Sequence, residues 1–218
     1  MGSITRSLSN NITTGGVILP AGITNSSVSA VTSFANASGG TLILLSTQTA
    51  SNSATISFTT GLDSTYDAYE FKFIDIHPRT DAVEFEFNLS TDNGSNYNVT
   101  KTTTHFLAYH DEADTASALT YVATRDLAQS TSFQKLTALN GSGADESVAG
   151  SLQLFNPAST TYVKHFIAVN NQYQNENYTH NSFVAGYGNT TSAVNAIRFQ
   201  MSSGNFDGII KLYGVKKS

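Results

Sequence analysis

The sequence predicts an all-β protein: an antiparallel β-sandwich, jelly-roll-like, preceded by an extended N-terminal arm. Three observations carry this. Apolar and polar residues alternate at period two in several short runs, which puts alternate side chains on opposite faces of a strand. Turn chemistry such as Asn93-Gly94, Asn156-Pro157 and Gly188-Asn189 separates the runs, and no stretch holds a helical period. Charged residues make up only 12% of the chain, and the Ser, Thr, Asn and Gly that replace them suit strands and turns and form helices poorly.

Residues 1–62 contain one charged side chain, Arg6. Ile4, Leu8, Ile12, Val17, Ile18 and Leu19 are scattered through a segment that cannot bury them by itself. Disordered tails are usually charged, and this one is not. Residues 1–40 therefore read as an arm ordered against a neighbouring subunit, with a Ser/Thr-rich leader as the plainer alternative. Residues 41–218 read as the sandwich. Thr41–Ser46 is a buried strand candidate, and Ala54, Ile56 and Phe58 alternate with polar neighbours.

Tyr69-Glu-Phe-Lys-Phe-Ile-Asp-Ile-His-Pro78 and Ala82-Val-Glu-Phe-Glu-Phe-Asn-Leu89 alternate most cleanly. His77–Asp81 between them reads as a turn, because proline lacks the ladder N–H and restricts the residue before it. The expectation is a β-hairpin with one face in the core. Asp92-Asn-Gly-Ser-Asn96 is a second hairpin turn. A Thr-rich strand from Tyr97 to His110 follows, then weaker strands at Leu119–Ala123 and Phe133–Leu136. Gly150–Phe155 and Thr161–Val169 are strands, the latter with Val163, His165 and Ile167 facing inward. Asn170–Asn181 reads as a polar loop carrying Tyr173 and Tyr178. Phe183–Tyr187, Asn195–Met201 and Gly208–Val215 complete a set of roughly ten strands, for which a jelly roll of about eight strands is the best fit in size.

Several function classes are disfavoured. With no cysteine, disulfides, Cys metal sites and a Cys nucleophile are excluded. A net charge of −5 without a basic face argues against nucleic acid as a partner. No run approaches the apolar length of a membrane helix, and the N-terminus lacks the regions of a signal peptide. His77, His105, His110, His165 and His180 show no zinc-hydrolase spacing; His105 and His110, five apart, fall on opposite strand faces. Glu70, Glu84 and Glu86 share polar strand faces with Lys72, where cross-strand charge pairing is simpler than a glycosidase pair. Asp111, Glu112 and Asp114 read as a solvated acidic loop. The expectation is a non-enzyme without metal or cofactor. Tyr173, Tyr178 and Tyr187 cluster around the predicted loop, where they would either stack on a sugar or a protein surface or fold back on the sandwich edge.

Taken with the arm Ser3–Gly16, the motifs Tyr69–Pro78, Phe106-Leu-Ala-Tyr-His110, Leu154-Phe-Asn-Pro157, Val163-Lys-His-Phe166 and Ile210-Lys-Leu-Tyr-Gly-Val215 resemble small virion structural proteins of tailed bacteriophages, marine ones in particular. The resemblance spans nearly the whole chain. Its motifs are core and turn signatures, so it carries over a class and no site residues. It implies a homo-oligomer, a trimer by expectation, on the particle surface. One version is a capsid decoration or cement protein bound to the major capsid protein. The other is a tail fibre or appendage that binds host-surface glycan or protein.

Overall fold

The computed structural model describes residues 41–216. The arm residues Ile4, Leu8, Ile12, Val17, Ile18 and Leu19 lie outside them. Twelve strands occur among the described residues: β1 (Leu42–Ser53), β2 (Thr55–Phe58), β3 (Ala68–Pro78), β4 (Phe85–Ser90), β5 (Lys101–Asp111), β6 (Ser117–Tyr121), β7 (Gln134–Lys135), β8 (Val148–Phe155), β9 (Lys164–Gln174), β10 (Tyr178–Gly188), β11 (Ala196–Met201) and β12 (Phe206–Val215).

They form two antiparallel sheets, ordered β1-β12-β3-β8-β9-β10-β5-β6 and β2-β11-β4-β7. Set aside β5, β6, β9 and β10 and number the remaining eight strands in chain order. The sheets then run 1-8-3-6 and 2-7-4-5, the strand order of a jelly roll. The four strands set aside are insertions that continue one sheet beyond β8. The fold is thus a jelly roll with a lateral extension.

The two cleanest alternating runs do not form a hairpin. β3 pairs with β12 and β8, while β4 pairs with β11 and β7. The chain arches from one sheet to the other between them, and their aromatic faces meet across the core: Phe73 and Phe85 have ring centroids 5.1 Å apart, edge to face. A hairpin would align two apolar faces side by side and leave both to be covered. The arch covers each with the other. Because their outer faces point apart, the glutamates of these two runs do not share a face with one another. Glu70 pairs with Lys72 of its own strand. Glu84 takes Lys135 at 3.0 Å, and Glu86 accepts a hydrogen bond from Gln200 at 2.8 Å.

His77 belongs to β3 rather than to a turn, with Nδ1 2.7 Å from the Glu146 carbonyl. Within β3 the inward set shifts from Tyr69, Phe71 and Phe73 to Ile76 and Pro78. A bulge causes the shift: Asp75 takes a φ of 51° and the register against β12 breaks beside Gly208. Phe199 of β11 sits at the middle of the core, 5.3, 5.2 and 5.8 Å from the rings of Phe71, Phe73 and Phe85.

β1 is an edge strand. Leu44 is 53% exposed, so the apolar run Thr41–Ser46 is not buried as its composition predicts. Ile56 and Phe58 are buried and Ala54 is exposed. The Asn93-Gly94 turn forms with both residues at positive φ, 58° and 85°. The chain leaving it then crosses to the other sheet instead of pairing with β4 along its length.

Candidate functional site

The extension departs from the usual amphipathicity of a strand, with many polar side chains buried and an apolar row exposed. On the inner face β5 buries Lys101, Thr103 and His105, β9 buries Lys164, Asn170, Gln172 and Gln174, and β10 buries Ser182, interspersed with the apolar Leu107, Phe166, Ala168 and Val184. On the outer face stand Val169, Phe183, Phe106 and Tyr121. These four are successive cross-strand partners, and they make one apolar row across β9, β10, β5 and β6. Phe106 and Phe183 stack with centroids 4.9 Å apart. Exposure is 51% at Ile167, 54% at Tyr121 and 70% at Leu119.

The polar part of the inner face has a physical cause. Opposite it lies no full sheet but the irregular connection 122–147, whose backbone needs partners. The strands supply them. Thr103 Oγ1 accepts from Leu127 N–H at 2.8 Å and donates to Gln134 Oε1 at 2.6 Å. Gln172 receives Ala138 N–H at 2.8 Å and donates to Leu139 O at 2.9 Å. Asn170 Nδ2 donates to Leu136 O at 3.2 Å. No such requirement explains the outer row. Apolar groups there face solvent, a contiguous exposure that is uncommon on the surface of a monomer.

This is why Asn170–Asn181 is misread as a loop. β9 runs on to Gln174, the chain turns through Asn175–Asn177, and β10 starts at Tyr178. The alternation is present in Asn170, Gln172 and Gln174, but polar side chains carry the buried phase. His165 is likewise exposed and outward, its ring centroid 6.0 Å from that of Tyr187, with Phe166 inward.

The three tyrosines do not come together. Tyr173 is on the outer face near the hairpin tip, where Oη lies 3.1 Å from Asn177 Oδ1. Tyr187 is at the far end of β10, on the outer face. Tyr173 and Tyr178 line separate concavities: Tyr173 one of about 230 Å³ with His110, Glu112, Asn171 and Thr179, and Tyr178 a second. The second, of about 390 Å³, opens on the inner face at the free end of the extension. Tyr109, Tyr178 and His180 stand with ring centroids 5.7 to 5.8 Å apart. Arg125, Gln174 and Glu176 add polar groups around them. Burial, then the Arg125 charge, lowers the pKa of His180, and its Nδ1 has no hydrogen-bond partner among the described residues. Tyr109 and His180 were legible as aromatic residues in sequence, but nothing in their spacing marks them as neighbours across β5 and β10.

Asp111 closes its own turn by accepting Thr115 N–H and Ala116 N–H, each at 2.8 Å. No group of three metal-ligating side chains occurs among the described residues. No protein-family model, curated protein or solved structure matches the chain.

Proposed function

We propose that the chain is a structural component of a tailed-phage particle, a decoration or cement protein that binds the shell through the apolar outer face of β9, β10, β5 and β6. The single observation that carries the reading is the apolar row on the outer face of the extension: Val169, Phe183, Phe106 and Tyr121 are successive cross-strand partners that nothing in the described chain covers. Burying such a row against a shell protein removes apolar area from water, and each fully buried large side chain contributes about 1.5–3 kcal/mol. The resemblance of Tyr69–Pro78 and the other core motifs to virion proteins supplies the partner class. A homotrimer and the apolar residues of the N-terminal 40 would add further contacts.

The test is binding to empty capsids of the encoding phage. The double variant Phe106→Lys with Ile167→Lys is expected to lose at least tenfold in affinity and to keep its melting temperature within a few degrees, since both side chains are exposed. Undiminished binding overturns the reading.

A second reading is favoured by the larger concavity. Three rings around polar groups can stack on a pyranose and hydrogen-bond its hydroxyls, as a tail appendage that binds host glycan requires. It predicts that the purified protein binds host cells and that Tyr109→Ala with Tyr178→Ala abolishes this while capsid binding persists. Cell binding that survives this double variant removes the concavity from the account.

A further inference from the structure

The most unusual group in the interior is Lys101. It is fully buried and makes no ion pair among the described residues. Its Nζ donates to Asn88 Oδ1 at 2.5 Å and to Val99 O at 2.9 Å. Asn88 is also fully buried, and its amide is held in one orientation: Nδ2 donates to Tyr97 O at 2.7 Å and to Thr131 O at 2.9 Å. Both of those partners are acceptors, so the nitrogen must face them and Oδ1 must face the lysine. Oδ1 also accepts the N–H of Leu89 at 2.8 Å.

We propose that Lys101 and Asn88 join spontaneously in an intramolecular isopeptide bond, with Glu86 as the proton relay. A carbonyl bond is about 1.23 Å long, so the 2.5 Å contact keeps Nζ within about 3.7 Å of the Asn88 carbonyl carbon. That is close to attack distance. Burial brings the Lys101 pKa to about 7, against the opposing charge of Glu86, so a large fraction of the amine is neutral and nucleophilic. Glu86 lies two residues before Asn88 on the same face of β4. Burial raises its pKa, which suits it to carry a proton.

The Nζ lone pair forms a bond to Cγ, and the carbonyl electron pair moves onto Oδ1, where Leu89 N–H meets the developing charge. Glu86, whose charge acts on Lys101 without forming an ion pair, swings in to take a proton from Nζ and deliver it to Nδ2. The Cγ–Nδ2 bond breaks, its electron pair leaves on nitrogen, and ammonia departs. Amine plus carboxamide gives a secondary amide plus ammonia, with no oxidant or other reactant. Water is kept away by the Tyr97 segment, whose ring is covered by the Arg198 guanidinium at 4.1 Å. The link would tie the two sheets together where the chain crosses between them. It is independent of the phage reading.

Intact mass spectrometry of the purified full chain decides it. The expected mass is about 17 Da below that of the sequence, the loss of one ammonia. Trypsin should fail to cut after Lys101 and yield residues 80–125 as one light peptide. Lys101→Arg and Glu86→Gln should each restore the sequence mass and the cleavage. A succinimide at Asn93-Gly94 has the same mass, but it leaves Lys101 cleavable and survives in both variants. Wild-type protein at the sequence mass, or a loss that maps to Asn93, overturns the proposal, and neither result depends on how well the variants fold.

Discussion

Phe199→Ala is expected to destabilise the protein by about 3–5 kcal/mol, the range for removing a large aromatic side chain from a packed core. The ring is fully buried and contacts rings from both sheets: Phe71 and Phe73 on β3, Phe85 and Phe87 on β4, and Phe58 on β2. The cost has two parts. One is the apolar area returned to water. The other is the cavity, because five rings held by two separate sheets cannot all move in to fill it. Urea unfolding of the variant beside wild type measures the loss. Phe183→Ala is the control: its ring stacks on Phe106 on the outer face, and its loss should cost under about 1 kcal/mol. Equal losses at the two positions would mean that the outer row is covered in the isolated protein.

Acidification is expected to destabilise the fold through His105. Burial in the interior of the extension lowers its pKa from 6.5 to about 4, helped by the charge of Arg125 and opposed by that of Asp126, and neither ring nitrogen has a hydrogen-bond partner among the described residues. The unfolded histidine titrates near its ordinary value. Between pH 6.5 and 4 the unfolded chain therefore binds more protons than the folded one, and stability rises with pH across that window. As pH falls through it, up to about 3 kcal/mol is lost, an upper limit set by the size of the shift. Glu86 acts with the opposite sign, since its raised pKa makes the folded state the tighter proton binder above the carboxylate range. The comparison that isolates His105 is melting temperature from pH 7.5 to 4 for wild type and His105→Leu. The two curves should converge toward pH 7 and diverge on the acid side, with wild type falling faster. Parallel curves would show that the imidazole does not enter the balance.

Much of the fold is legible in the chain because strands that face a sheet must alternate apolar and polar residues. Phe71, Phe73, Phe85, Phe87 and Phe199 are buried where their alternation puts them. The Asn93-Gly94 turn forms because positive φ costs those two residues little. The failures share a cause too. Asn170, Gln172 and Gln174 alternate as cleanly as the phenylalanines, but in a polar alphabet: Asn170 and Gln172 bond the backbone of the connection opposite, and Gln174 accepts the N–H of Glu176 in its own turn. The concavity was invisible for a different reason: Tyr109 and His180 are far apart in sequence and meet only through the β5–β10 pairing.

By itself, then, the sequence determined the all-β class, the strand-forming segments of the jelly roll and the aromatic half of its core. These depend on local alternation and turn chemistry, which short stretches carry. Tertiary structure alone decided that β3 and β4 arch between sheets, that β5, β6, β9 and β10 extend one sheet, and that this extension buries Lys101, His105, Asn170 and Gln172 while the row Val169, Phe183, Phe106 and Tyr121 stands on its outer face. Those facts turn on which strand lies beside which and what lies opposite each face. Strand pairing is non-local, and the same alternating run serves a hairpin or an arch equally well until its partner is known.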